Sequence, residues 1–145
     1  MTPHAVQDLA GFLAGRWRVR REVVPVRGVP AGGFEGEATF APIAGGELLY
    51  REHGTVHIGD HHGEASRTLR YRVDGARAVV CFDDGRLFHD LDLRTGTWRA
   101  DHPCGDDLYR GRFTVTGPHA WEQRWSVRGP TEAYRMRTRL DRLAS

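Results

Sequence analysis

Residues 86–109 read RLFHDLDLRTGTWRADHPCGDDLY, and this stretch decides the fold because two strands and the turn between them can be laid out from it residue by residue. Leu87, His89, Leu91 and Leu93 alternate with Phe88, Asp90 and Asp92; Trp98, Ala100, His102 and Cys104 alternate with Arg99, Asp101 and Pro103. A two-residue period of this kind belongs to half-buried strands. Thr95-Gly96 marks the turn between them. An even loop there pairs Leu93 with Trp98, Leu91 with Ala100 and His89 with His102. A three-residue loop with a bulge at Gly96 slips the register by one and sets Leu91 against Arg99. The apolar match favours the even loop. It faces two histidines inward with Cβ atoms about 5 Å apart, and Cys104 follows His102 on the same face.

The pairing continues outward in both directions. Gly105-Asp106 as the next turn sets Cys104 against Asp107, His102 against Tyr109, Ala100 against Gly111 and Trp98 against Phe113. Upstream, Asp84-Gly85 is a strong hairpin dipeptide and sets Val80 opposite His89 and Phe82 opposite Leu87. Gly117-Pro118 and Gly129-Pro130 read as two further turns; with Phe113 facing Trp121 and a two-residue second loop, Trp125 lies beside Tyr109 and Tyr134 beside Trp125. One inward belt is then Val80, His89, His102, Tyr109, Trp125 and Tyr134. The next is Leu91, Ala100, Gly111, Gln123 and Met136, where Ala100 and Gly111 leave room. Leu93, Trp98, Phe113, Trp121 and Thr138 close the floor. Imidazoles and aromatic rings above such a space predict a ligand cavity walled by the strands from Val80 onward.

The rest of the chain has the same texture. Thr2-Pro3 is a helix-start pair, and Val6, Leu9, Ala10 and Leu13 have helical spacing, so a short helix over Pro3–Leu13 is expected to plug one end. Strands follow at 16–26 (RWRVRREVVPV), 33–43 (GFEGEATFAPI), 46–57 (GELLYREHGTVH), 65–73 (ASRTLRYRV), 77–82 (RAVVCF) and, at the end, 132–140 (EAYRMRTRL), with His61 and His62 in a solvated polar loop. About ten short antiparallel strands with tight turns and one leading helix predict an all-β fold, a ten-stranded antiparallel up-and-down barrel with a short N-terminal helix. The whole chain, 1–145, is read as one domain.

Composition removes several classes of function. The formal charge is +2, and all 21 basic residues are arginine, with no lysine and no asparagine. That bias reflects a GC-rich coding sequence. Arginines are interspersed with Asp and Glu rather than gathered in a basic stripe, so no nucleic-acid partner is expected. No apolar run approaches the roughly 20 residues of a membrane span, and MTPHAVQDLAG lacks a signal peptide's basic start and apolar core. Two cysteines without a secretion signal point to reduced thiols in the cytoplasm. By alternation Cys81 faces out and Cys104 in, which excludes a disulfide between them. Ser66, Ser126 and Ser145 carry no nucleophile elbow, and no glycine loop precedes a helix to cradle phosphate.

The segment FLAGRWRV (12–19), a short helix running into Gly-x-Trp at the first strand, resembles the calycin barrels: lipocalins, fatty-acid-binding proteins and the nitrobindin-like group. The resemblance implies an arginine of the last strand packed across Trp17, with Arg137 and Arg139 as candidates. More specifically, LLYREHG (48–54), GRLFHDLDL (85–93) and WRADHPCGDDLYRGRF (98–113) are similar to an uncharacterised family of small bacterial and fungal calycin-like proteins. That resemblance implies the fold over nearly the whole chain and brings no established activity. No histidine matches a haem-ligating motif of the nitrobindins.

Three chemistries suit the expected cavity. As a binding site for a small-molecule ligand, Trp125, Tyr109 and Tyr134 supply ring faces, Met136 lines the wall, and His89, His102 and Gln123 orient the ligand by hydrogen bonds. Glu52 and Arg67 are polar positions in alternating strands and pair if they face inward. As an acid–base enzyme for cyclisation, isomerisation or dehydration, His89 and His102 divide the roles of base and donor, since two adjacent buried imidazoles resist both becoming charged; Tyr109 donates a proton. As a metal centre, His102-x-Cys104 and His89 give three ligands and an open fourth position for zinc or another transition metal, with haem less favoured. The structural alternative is a core in which the His89/His102/Tyr109 row only packs. A homodimer stays open as an assembly.

Overall fold

Alternating apolar and polar residues, punctuated by glycine turns, generate ten antiparallel strands and one short helix. The computed structural model describes residues 2–144, so the first and last positions of the 1–145 domain reading, Ser145 among them, lie outside the described residues. The strands are β1 Gly15–Arg27, β2 Gly32–Ile43, β3 Glu47–Ile58, β4 His61–Asp74, β5 Arg77–Phe82, β6 Leu87–Asp92, β7 Thr97–Cys104, β8 Asp107–Gly117, β9 Ala120–Arg128 and β10 Ala133–Arg142. They form one sheet in the order β6-β5-β4-β3-β2-β1-β10-β9-β8-β7. β1 bonds to both β2 and β10, so the sheet curls into a nearly closed barrel whose one open seam lies between β6 and β7. No helix among the described residues is long and apolar enough to cross a membrane.

The even loop expected between β6 and β7 does not form. Gly96 N–H donates to the Leu93 carbonyl at 2.9 Å and Gly96 takes φ +84°, a turn followed by a left-handed glycine. No ladder joins the two strands. The N-terminal segment explains the gap: His4 N–H donates to Val115 O at 2.8 Å and Val6 N–H to Leu93 O at 3.0 Å, so extended chain occupies the end of the seam. A Cβ on Gly96 would stand 2.7 Å from the His4 carbonyl oxygen, so this approach requires glycine. Higher up, Trp98 lies along the seam rather than in the floor, its indole N–H donating to the Asp90 carbonyl at 3.1 Å.

The helix α1 is Leu9–Leu13, shorter than the expected Pro3–Leu13, and its cap is Asp8 rather than Thr2, with the carboxylate accepting from Gly11 N–H at 3.0 Å. His4 and Val6 bond to the barrel instead of to a helical turn, and tertiary hydrogen bonds outcompete helical spacing. Leu9 and Leu13 are fully buried and plug the end where β1 begins. Trp17 is equally buried and donates its indole N–H to Leu13 O at 2.8 Å. An arginine does pack on it, but it is Arg142, 4.4 Å from the ring centroid, because the register pairs Trp17 with Arg142. Arg142 also binds the carbonyls of Phe12 and Ala14. Arg137 and Arg139 point outward to Glu122 and Asp141.

His61 and His62 belong to β4, not to a loop, and the rings of His57 and His62 stack across the hairpin at 5.9 Å. Both cysteines are free; Cys104 keeps the expected inward face but is exposed, at the rim of the barrel.

Candidate functional site

All five sequential hairpins β1–β2, β3–β4, β5–β6, β7–β8 and β9–β10 turn at one end of the barrel, opposite the helix plug. Below those turns lies a cavity of about 300 Å³. His89, His102, Cys104, Tyr109, Gln123, Trp125, Tyr134, Met136 and Arg67 all border it. Glu52 sits just behind the wall, hydrogen-bonded to the bordering Arg21 and Tyr50. The sequence-derived candidates are therefore collected in one place, while their arrangement differs from the expected belts in three ways.

First, the register of β9 is displaced by two residues. Gly111 faces Trp125, Tyr109 faces Val127 and Phe113 faces Gln123, and a four-residue turn, rather than two, links β9 to β10 so that Tyr134 also faces Val127. A bulge between Val115 and Gly117 absorbs part of the β8–β9 turn. A slip of two keeps every side chain on its face and moves it by one layer. Trp125 accordingly fills the space that Ala100 and Gly111 were expected to leave: a Cβ on Gly111 would lie 2.8 Å from the Trp125 ring. The room for a ligand lies elsewhere, against β1, β3 and β4.

Second, β6 bulges where Val80 pairs with His89 but Cys81 pairs with Leu87. The extra residue, Phe88, turns inward beside His89. Its ring stacks on Phe82 at 4.7 Å and on Trp125 at 5.2 Å, and meets His89 at 4.8 Å and His102 at 5.5 Å. Phe88 thus stands between the two histidines that the even loop would have paired. His102 keeps Tyr109 as its edge-to-face neighbour at 5.9 Å. The three-ligand centre expected of His89, His102 and Cys104 is not assembled: among the described residues no three His, Cys, Asp or Glu side chains gather to hold an ion. The bulge and the exposed position of Cys104 are the reasons.

Third, five of the sixteen residues that border the cavity come from strands before Val80. Arg21 on β1, Tyr50 on β3 and Arg67, Leu69 and Tyr71 on β4 border the cavity. Their signal was present in the alternation, since Arg21 is in phase with Trp17 and Val19, Glu52 with Leu48 and Tyr50, and Arg67 with Leu69 and Tyr71. A charged residue in phase with a buried apolar face marks an ion pair or a site.

These charges form one cluster. Glu52 is 4% exposed and accepts two bonds from Arg21, at 2.9 and 3.0 Å, and one from the Tyr50 hydroxyl at 2.6 Å. The forked geometry is the strong form of an ion pair. Arg21 spends its remaining Nε–H on Thr138 at 3.0 Å. Burial alone would raise the Glu52 carboxyl, but the Arg21 bonds, the charges of Arg67 and Arg21 and the Tyr50 hydroxyl outweigh it and hold the group at about 2. The Tyr50 hydroxyl is pushed well above its usual value by burial and by Glu52. Arg67 is tied far more loosely: one nitrogen lies 3.4 Å from Glu52, and its buried Nε has no partner.

His89 is held neutral. Burial, opposed by its bond to Asp90, drives the imidazole down to about 4. Its Nδ1 lies 2.7 Å from the Asp90 carbonyl; a carbonyl only accepts, so Nδ1 carries the proton and Nε2 is left as an acceptor. At the mouth, burial pushes the Tyr134 hydroxyl up to about 12, with Tyr109 adding to the shift.

A model of a family of unknown function, DUF6314, matches residues 13–142. None of the curated proteins matches the sequence. Among solved structures, the S-type phycobiliprotein lyase CPES from Guillardia theta is similar with a TM-score of 0.67 at 9% identity, over 98% of this chain and 94% of that one. A DUF3598-family protein of unknown function from Nostoc punctiforme aligns with a TM-score of 0.66 at 11% identity, over 97% of this chain and 51% of that one. EF1p2_mFAP2b bound to DFHBI aligns at 0.53 and 13% identity, over 96% of this chain and all (100%) of the other. Identities this low carry the fold alone.

Proposed function

This chain belongs to the DUF6314 family of unknown function, and from that premise we propose that it binds a small organic molecule inside the barrel. One observation carries the reading: at the hairpin end, side chains that elsewhere would fill the core leave about 300 Å³ bordered by Phe88, Trp125, Tyr71 and His89. That volume is at the lower end of ligand pockets, roughly 300–1,000 Å³, and suits a molecule of one or two rings. The ring faces supply apolar contact, while Arg67, Gln123 and the His89 acceptor supply orientation. Likeness to a phycobiliprotein lyase and to a DFHBI-bound protein supports the reading at the level of fold.

The test is a thermal-shift and native mass-spectrometry screen of a metabolite library on protein purified without an affinity tag, with absorption spectrum and elemental content recorded on the same sample. A bound or stabilising compound is expected in the wild type and not in Met136→Trp, which fills the cavity. A library without one stabilising compound overturns the reading.

A second reading, acid–base catalysis on the bound molecule, has its own observation: a neutral imidazole whose tautomer is fixed by Asp90 and whose Nε2 is free to take a proton. His102 and Tyr109 are the donors in this reading. A ligand that is released chemically unchanged by the wild type, at the same rate as by His89→Gln, removes it.

A further inference from the structure

The charge and the donor inventory of the cavity go beyond "small molecule". Arg21 and Glu52 neutralise each other through a forked pair, and the Arg21 Nε–H is taken by Thr138. Arg67 is a second cation beside the same single carboxylate, so two positive charges meet one negative one. Apart from Glu52 behind the wall, no Asp or Glu is among the bordering residues. His89 adds no charge at neutral pH. The cavity is left with one excess positive charge, placed on the guanidinium whose hydrogen bonds are least used: a single 3.4 Å contact and an unpartnered Nε.

A buried donor of a charged group without a partner is costly, and the cost is removed by an acceptor of opposite charge. The excess is a single charge, which a carboxylate cancels and a phosphate dianion over-fills. A guanidinium also receives a carboxylate through two parallel bonds. The rest of the wall selects for a flat ring: Phe82, Phe88 and Trp125 stack successively at 4.7 and 5.2 Å. Gln123, which borders the cavity, accepts the Trp125 indole N–H at 3.3 Å through its carbonyl, so its NH₂ is left as a donor. The His89 Nε2 complements it as an acceptor for a ring hydroxyl or N–H.

We propose that the cavity is selective for a small aromatic carboxylate, with the carboxylate on Arg67, the ring against Phe88 and Trp125, and a ring hydroxyl or N–H on His89. The selection rests on the ligand-binding reading above and adds the charge and shape of what is bound.

The experiment is a matched-pair titration, by calorimetry and by quenching of tryptophan fluorescence, using 4-hydroxybenzoate, indole-3-acetate and 2-naphthoate against the corresponding neutral amides. The wild type is expected to bind at least one acid more tightly than its amide, by roughly tenfold or more, since a hydrogen bond to a charged acceptor is roughly twice as strong as one to a neutral acceptor. Arg67→Met is expected to bind acid and amide alike, with circular dichroism confirming the fold. A measurement on unaltered protein guards against a misfolded variant: affinity for the acid is expected to fall as pH drops through the free acid's own pKa, about 4 to 5 for such compounds, and the amide's affinity to stay level. Amides that bind as tightly as acids overturn the charge selection and leave the binding reading intact. If neither class binds at millimolar concentration, the proposal falls, and the library screen then decides whether the wider reading falls with it.

Discussion

Trp121 Nε1 and Arg67 Nε are both buried without a hydrogen-bond partner, one near the plugged end of the barrel and the other at the open end, and their surroundings differ in kind. Trp121 is fully buried, with the rings of Phe40 and Phe113 about it at 6.5 and 6.4 Å. Nothing can reach its N–H, so the orphan is a cost of roughly 1–3 kcal/mol offset by the large ring area taken from water. Arg67 is charged, and a cavity lies beside it. An unpartnered donor therefore points to function only where there is room to bring a partner. The same contrast runs through the two arginine anchors: Arg142 at the plug caps backbone carbonyls of the helix end, whereas Arg67 leaves donors unspent.

The largest effect is expected at the plug. Trp17→Ala removes a fully buried ring, its bond to Leu13 and the platform for Arg142, and is expected to cost near the top of the about 3–5 kcal/mol range for such truncations, measured by denaturant unfolding. A Trp17→Ala protein as stable as the wild type would break the view that the plug end is the stabilising end.

Glu52→Gln comes next, because it leaves Arg21 charged, buried and poorly paired; a loss of about 3 kcal/mol at pH 7 is expected. The pH dependence sharpens the point. The native carboxyl is held at about 2 against an ordinary 4.5, so its contribution is fully present above about 4.5 and is lost as pH falls through about 2. The gap between wild type and variant should narrow over that window. A gap that stays constant down to pH 2 would show that packing, not the ion pair, carries the effect.

His89 acts over a different range with the opposite chemistry. Its native value of about 4 lies below the ordinary 6.5, so the unfolded chain binds the proton first and stability falls as pH drops from 6.5 to 4, by on the order of 3 kcal/mol for a fully buried imidazole. Exchange for Gln is expected to flatten urea midpoints across that window. An unaltered slope would mean that His89 is solvated and that its acceptor does not serve the cavity.

The smallest effect on stability, and the largest on binding, is expected from Arg67→Met. Its guanidinium is partly exposed and weakly bonded, so stability should change by less than about 1 kcal/mol, seen as a shift of only a few degrees in Tm. A loss as large as that of Glu52→Gln would make Arg67 a structural member of the ion cluster rather than a group held for a ligand.

The turns around the opening stretch were legible at different levels. Gly105-Asp106 set Cys104 against Asp107 and His102 against Tyr109 as read from the sequence, and Val80 against His89 likewise. In contrast, Thr95-Gly96 and Gly129-Pro130 did not reveal their loop lengths, because one dipeptide serves loops of two, three or four residues. The errors are ordered: a slip of two in β9 preserved the inward faces of Trp125 and Gln123, while a single extra residue at Phe88 reversed one side chain. Hence nine of ten candidate residues line the cavity and the tenth, Glu52, stands behind it, although the layers they occupy were misassigned.

What the sequence by itself determined is the face of each side chain and the class of the fold, since both follow from local alternation and from glycine at turns. It also placed Arg21, Glu52 and Arg67 in phase with buried positions. What only the tertiary structure decided is which of these meet. The curl of the sheet pairs β1 with β10 and brings β1, β3 and β4 round to face β6–β10, a closure that depends on accumulated strand twist and on long-range packing, neither of which is written in any one segment. The N-terminal segment at the seam, the wedge of Phe88 and the single uncompensated charge on Arg67 follow from that closure.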